Sequence, residues 1–263
     1  MKRLLTLVLI GIVGYAFFLL LYLPAIMALN WYGPLPGGLQ AYGVRGTLFD
    51  GQADALIGPD LRLDQYTWRI APGELLAGRL GYHLSFTNLN NSGNGIVSRG
   101  LNGTAHFSPL ELQADLKALS RHWAFAKRFG GKLSLQLQSL TLDKGHIVDA
   151  RGGIAWSGAH LRGDRPIPLG GFQARLDGSS EQDDGFTGPI GDNGGPLSVT
   201  GRLQLKPDGH WTLKGKLALR NPANTDLGPL PASLGRPGSD GKIAFEWSGQ
   251  LPPALLLPSP TPE

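Results

Sequence analysis

The chain has 263 residues, 24 Lys and Arg against 20 Asp and Glu, and no cysteine. The missing cysteine excludes structural disulfides, thiolate metal centres and cysteine nucleophiles together. Removing Lys2 and Arg3 from 24 cations leaves 22 against 20 acids, scattered singly with Lys127-Arg128 as the tightest pair, so the concentrated basic stripe of a nucleic-acid groove is excluded as well.

The first element is Leu4 to Leu23, LLTLVLIGIVGYAFFLLLYL, without a charged residue. Twenty residues of helix at ~1.5 Å each span roughly 30 Å, the hydrocarbon thickness of a bilayer. A cleaved signal peptide competes with an uncleaved anchor for this run. Signal peptides have a shorter apolar region ending in an A-x-A pattern, whereas Ile26-Met27-Ala28 puts a branched residue where a small one is needed, which favours the anchor. Lys2 and Arg3 precede the run and the next cation is Arg45, so the positive-inside bias keeps the N-terminus cytoplasmic and exports the rest. Tyr22, Trp31 and Tyr32 suit the outer water–lipid boundary, or ordinary packing against the exported part.

Residues 24–43 read as a Pro/Gly linker with little periodicity. Gly46 and Gly51 bracket the first strand signal, YGVRGTLFDGQADALIG. In LRLDQYTWRI the alternation of Leu61 and Leu63 changes phase before Tyr66, Trp68 and Ile70, a slip that a β-bulge would absorb. Pro72 is placed to open a short helical turn, and Leu80, Tyr82, Leu84 and Phe86 then alternate as a strand with one dry face. Asn88 to Gly95 reads as loop by composition.

Leu110, Leu112 and Ala114 close a further strand, after which Asp115 to Phe129 carries apolar residues at helical spacing and is stopped by Gly130-Gly131. Its narrow apolar stripe suits packing on a sheet better than lying on a membrane. Leu133, Leu135 and Leu137 alternate, slip at Gln138-Ser139, and resume at Leu140 and Leu142 before the Asp143-Lys144-Gly145 turn. Val148, Ala150, Ile154 and Trp156 share a face of the return strand. Pro207-Asp208-Gly209 turns between strands carrying Leu203 and Leu205 on one arm and Trp211, Leu213, Leu217 and Leu219 on the other. Ile243, Phe245 and Trp247 line the last strand, and the tail from Pro252 is proline-rich and reads as unstructured.

No catalytic set appears. The six histidines are dispersed without metal-ligand spacing, no serine lies in a G-x-S-x-G elbow, and no phosphate loop or dinucleotide fingerprint is present. Glu181, Asp183, Asp184 and Asp192 cluster in a Gly-rich stretch that lacks the regular ligand spacing of a calcium loop and reads as solvated. The expectation is therefore a protein without enzymatic activity, cofactor or metal.

The order of motifs resembles the type II secretion system protein N family. The likeness rests on Gly46-Thr47-Leu48-Phe49-Asp50-Gly51, then Trp68 to Pro72 and Gly78-Arg79-Leu80, then Gly152 to Trp156, and Gly201-Arg202-Leu203. Phe49 stands where the family pattern more often has tryptophan, and the Gly-rich insert near 181–195 departs from it. The resemblance implies a non-enzymatic component of the Gram-negative inner membrane. It would support export of folded proteins from the periplasm across the outer membrane, through contacts with other secretion components.

The expected architecture is mainly β, with one N-terminal transmembrane helix followed by a curved, meandering antiparallel sheet carrying one short helix. The expected segments are 1–3 cytoplasmic, 4–28 signal-anchor, 29–43 linker, 44–250 periplasmic domain and 251–263 tail. A single-layer sheet must cover its dry face somehow, and a lipid-handling groove of AsmA-like type, with lipid on that face, is the rival to a secretion role.

Overall fold

The computed structural model describes residues 2–33, 35, 38–58, 62–89, 91–119, 124–177, 185–221 and 237–251. Five helices are described: α1 (Lys2–Leu21), α2 (Ala25–Tyr32), α3 (Pro72–Leu76), α4 (Leu116–Leu119) and α5 (Ala124–Arg128). The strands of the first half are β1 (Gln40–Tyr42), β2 (Arg45–Gly46), β3 (Asp50–Ile57), β4 (Arg62–Ile70), β5 (Arg79–Asn88), β6 (Asn91–Gly100) and β7 (Ala105–Asp115). Those of the second are β8 (Phe129–Asp143), β9 (His146–Leu161), β10 (Ile167–Leu176), β11 (Phe186–Asp192), β12 (Leu197–Leu205), β13 (His210–Leu219) and β14 (Ile243–Gln250).

All 14 strands join one sheet in the order β1-β3-β4 and onward to β14, with β2 paired to β3 off that path. Every pairing is antiparallel. This is the expected meander, in which each strand from β3 onward pairs with its sequence neighbours.

The sheet curls at one end. β10 stops at Leu176, so the first residues of β9 lack a β10 partner, and the Ile147 N–H instead donates to the Pro207 carbonyl at 2.8 Å. β9 and β12 are three places apart in the ladder, about 14 Å if the sheet were flat at ~4.8 Å per step. Only curvature brings them into hydrogen-bond range.

Two buried clusters sit on the concave side of this second half. One joins Ala105, Leu142, Ile147, Ala150, Phe186 and Leu205, with Trp211 packed against it. The other joins Ala159, Leu169, Leu197, Val199, Leu217 and Ile243, with Phe129, Trp156 and Phe172 at its margin.

Several local expectations change on contact with the fold. Asn88 to Gly95 is no loop: β5 runs to Asn88 and β6 begins at Asn91. Its glycines are strand residues because neighbours occupy the space of a side chain, with Leu112 Cδ2 2.6 Å from where a Gly93 Cβ would lie and the Pro109 carbonyl oxygen 2.7 Å from that of Gly95. In β4 the phase change is not a bulge, since the register with β3 is the same on either side; Gln65 absorbs it with a left-handed backbone, φ 49°. The slip at Gln138-Ser139 is a true register shift. A second shift between Thr141 and Leu142 leaves Val148 unpaired and exposed, so Ile147 takes the buried place expected of it.

The helix expected over 115–129 is shorter at both ends and is described in two pieces, α4 and α5. Asp115 ends β7 and its carboxylate accepts the Lys117 N–H at 2.8 Å, opening α4, while Phe129 already belongs to β8. Residues 120–123 between α4 and α5 lie outside the described residues, as do 181–184 of the acidic cluster and the tail from Pro252. Within the expected linker, Ala25–Tyr32 form α2, opened by Pro24.

α1 has 20 residues, and its described side chains from Thr6 to Leu21 are exposed. The side chains of Met1 to Leu5 and of Phe17 are not described; counted over the described residues, no helix is long and apolar enough to cross a membrane.

Candidate functional site

Seven of the ten motif residues converge where α1 meets the sheet. Gly46 has φ 89°, and a Cβ there would lie 2.5 Å from the Asp50 carbonyl, so only glycine closes the β2–β3 turn this tightly. Thr47 completes that turn: its hydroxyl accepts from the Phe49 and Asp50 N–H groups at 3.3 and 3.1 Å. Leu48 N–H donates to the Leu23 carbonyl at 3.0 Å, and Pro24 bridges to Thr47. Opposite Gly51, the Trp68 ring lies over the glycine and its indole N–H donates to the Thr47 carbonyl at 3.1 Å. Ile70 N–H donates to the Phe49 carbonyl at 2.7 Å, and Pro72 opens α3 two residues later. The motif therefore splices the end of α1 onto β2, β3 and β4.

Gly152, Trp156 and Gly201 lie elsewhere. Gly152 on β9 has φ 150° and would place a Cβ 2.7 Å from Leu137 Cα. Trp156 donates its indole N–H to the Gly130 carbonyl at 3.1 Å and lies between Phe129, edge to face at 5.8 Å, and Phe172, tilted at 5.5 Å between ring centres. Gly201 pairs with Gly215, and a Cβ on it would meet the Lys214 carbonyl at 2.5 Å. These residues permit close strand approach along one face; they do not gather into a site.

What joins them is that face. Register carries apolar side chains across the ladder: Trp68 opposite Leu84, Leu112 opposite Leu135, Leu135 opposite Ile154, Trp156 opposite Phe172, Leu203 opposite Leu213 and Leu213 opposite Trp247. From β4 to β8 these side chains are only half-buried, and Ile154 and Trp247 stand 40% and 50% exposed. No second layer of described residues covers them.

The other face is polar, and several of its groups meet in cross-strand pairs. Arg69 reaches Asp50 at 3.2 Å, Lys214 reaches Glu246 at 2.8 Å, and the Thr67 and Ser85 hydroxyls meet at 2.7 Å. α3 is clamped there by Glu74, which bonds Arg79 at 2.7 Å. A hydrogen bond from Ser98, aided by Arg79, holds the Glu74 carboxyl below the usual range, while burial and then Arg79 lower the nearby His106. Asp192 is held low chiefly by the Val199 N–H, with the Gly194 N–H and Arg220 contributing. On the dry side, burial alone pushes the Tyr66 hydroxyl up to about 12. Glu74 and Asp192 are thus engaged in holding a helix and a turn. Among the described residues no group of three or more His, Asp or Glu could hold a metal. An open cleft of about 660 Å³ between Lys132, Ser157, His160 and Arg162 gathers no base, nucleophile and orienting group in hydrogen-bonded sequence.

Sequence reasoning missed α2, the strand nature of β6 and the clamp on α3. Alternating Gly93, Gly95 and Val97 carried a strand signal that composition masked.

A family model described as "Type II secretion system (T2SS), protein N" matches residues 37–246. The chain belongs to that family. It is 26% identical over 248 residues to the type II secretion system protein N of Pectobacterium carotovorum subsp. carotovorum, covering 91% of this chain and 94% of the relative. It is 26% identical over 236 residues to the Vibrio cholerae protein of that name, covering 88% and 92%, and 25% identical over 260 residues to that of Aeromonas hydrophila, covering 95% and 100%. The family match begins near β1 and ends within β14, so it takes in the β2–β4 side of the splice and the ladder as far as Glu246. No solved structure matches the chain.

Proposed function

We propose that the chain is an inner-membrane component of type II secretion, held by α1 with its N-terminus cytoplasmic, whose sheet works in the periplasm through protein–protein contacts and without enzymatic activity. The observation that carries this reading is the family match across the whole sheet, 37–246. The half-exposed dry face supports it, because a contiguous apolar surface on a folded chain marks a place where something else binds. The run from Leu4 to Leu23 supports the anchor, being apolar and long enough for a bilayer. The segments 1–3, 4–28, 29–43, 44–250 and 251–263 remain the working division of the chain.

A second reading, an acyl-chain groove, draws on the same face. The aliphatic row Leu112, Leu135 and Ile154, with Leu84 and Leu110 in the row beside it, carries no polar side chain that a peptide backbone would need. Photoreactive residues at Leu84, Leu135 and Trp211 in the native host, read by mass spectrometry, separate the two. Crosslinks to secretion-apparatus proteins are the expected result; crosslinks confined to phospholipid or lipopolysaccharide would overturn the first reading in favour of the second.

A further inference from the structure

We infer that the end of the sheet from which α1 departs is itself seated on the bilayer, through leucines at the tips of two adjacent strand connections. The inference rests on the reading of α1 as a membrane anchor and adds a second, peripheral contact to it.

The Leu48 N–H bonded to the Leu23 carbonyl and the Ile70 N–H bonded to the Phe49 carbonyl fix which end of the ladder α1 leaves from. The antiparallel order then places two further connections at that end: α3 between β4 and β5, and the turn 101–104 between β6 and β7. Both are tipped with leucine in full exposure, Leu76 at 94% and Leu101 at 100%. Leu75 and Leu80 stand half-exposed beside them.

Leu80 pairs across the ladder with Arg99, two residues before Leu101; Arg99 is exposed and has no ion pair among the described residues. Leucine beneath an unpaired guanidinium is the arrangement that suits an acidic phospholipid leaflet: the apolar tip enters the acyl boundary while the cation stays at phosphate depth. α2 continues the same surface, with Ile26, Met27 and Trp31 exposed directly after α1.

The pattern stops with distance from the anchor. Connections farther along the same end have polar tips, Asp143-Lys144-Gly145 between β8 and β9 and Pro207-Asp208-Gly209 between β12 and β13. At the opposite end Leu89 is exposed, but between asparagines and without a paired cation opposite. Among the described residues the footprint is thus confined to the strands nearest α1, and it sets the sheet upright with its distant strands clear of the membrane.

The chain has no cysteine, so single labels can be placed cleanly. Spin labels at L76C, L101C, K144C and V13C in the full chain, reconstituted in vesicles of phosphatidylethanolamine and phosphatidylglycerol, are compared for relaxation by oxygen and by a water-soluble nickel chelate. Val13 is expected in the hydrocarbon, and Leu76 and Leu101 at headgroup depth with nickel access at least threefold below that of Lys144. Leu76 and Leu101 as open to nickel as Lys144, with Val13 still in lipid, would overturn the peripheral contact and leave the anchor standing. Val13 open to nickel would overturn the anchor and this inference with it.

Discussion

Gly51 offers the sharpest test of the splice between α1 and the sheet. A Cβ at this position would lie 2.7 Å from Trp68 Cε2 and 2.7 Å from the Arg45 carbonyl oxygen, closer than real Cβ atoms come. Neither neighbour can yield freely. The carbonyl belongs to β2, paired with β3, and the ring is pinned by its indole hydrogen bond to Thr47. Gly51→Ala is therefore expected to cost about 1–3 kcal/mol in overpacking. If the ring swings away, about 1 kcal/mol of hydrogen bonding is lost as well. A total of roughly 2–4 kcal/mol corresponds to a drop of about 5–15 °C in the unfolding midpoint of a chain this size. Gly191→Ala is the matched control: it is also a strand glycine, but nothing lies within 4 Å of its Cβ. There the change removes only unfolded-state entropy and should be neutral or stabilising, by up to about 1 kcal/mol. The readout is tryptophan emission during thermal unfolding of the full chain in detergent. Equal midpoints for Gly51→Ala and the parent, or equal losses for both variants, would refute the reasoning.

Trp156→Phe keeps an aromatic ring between Phe129 and Phe172 but loses the bond to the Gly130 carbonyl, so thermal unfolding should fall by about 1 kcal/mol; no change would mean that this bond contributes nothing net. Lys214→Ala and Glu246→Ala separate an exposed surface pair and should each shift stability by less than about 0.5 kcal/mol by denaturant titration, a larger loss arguing for a buried role. Stability should decline on acidification. Glu74 and Asp192 are held below ordinary carboxyl values, so their contribution is complete above that range and fades as pH falls through their folded values. His106, lowered by burial, is harder to protonate in the fold than in the unfolded chain and acts in the same direction. The midpoint is expected to drop from about pH 6.5 downward and most steeply below about pH 4.5, a flat profile between 7 and 4 defeating the account. Leu135→Lys puts a charge in the middle of the dry face; secretion in the native host should fail while the protein still accumulates, and normal secretion would remove the face from the mechanism.

Where alternation was regular, sequence and structure agree almost residue for residue. Leu203 and Leu205 meet Leu213 and Trp211 across the Pro207-Asp208-Gly209 turn, and Ile243, Phe245 and Trp247 continue the same face. Period-two patterning is visible because each strand has one wet and one dry side. It failed where glycine does the work of a strand residue. Gly93 and Gly95 look like loop, yet they are small because Phe86, Leu110 and Leu112 from adjacent strands occupy the space above them. That requirement lives in the pairing partner and is invisible in a local window. The displacement of Val148 by Ile147 has the same origin, since the bulge that causes it is set by both strands at once. At the junction, Gly46 and Gly51 announced a tight turn, but the hydrogen bond from Trp68 back to Thr47 joins residues 21 apart and no spacing rule reaches it.

The distribution of polar groups argues for a surface rather than a reaction. A catalytic site needs donors, acceptors and titratable groups brought together in a dry recess, where their unmet interactions are kept for a substrate. Here the polar face spends charges two by two, Arg69 with Asp50 and Lys214 with Glu246 across neighbouring strands and Lys216 with Asp240 in the turn before β14, and the lowered carboxyls of Glu74 and Asp192 are already consumed by a helix and a turn. The broadest surface left without partners among the described residues lies on the opposite face, and it is apolar: the half-exposed ladder from Trp68 to Trp247 across the sheet. Apolar surface is non-directional, so it performs no proton transfer and stabilises no developing charge. On the proposed reading it binds, and a ladder paired along its whole width holds that surface in fixed relation to the turn at Thr47. A partner seated on the dry face is thereby positioned relative to the helix that precedes it, which is the service a fixed component gives to a larger machine.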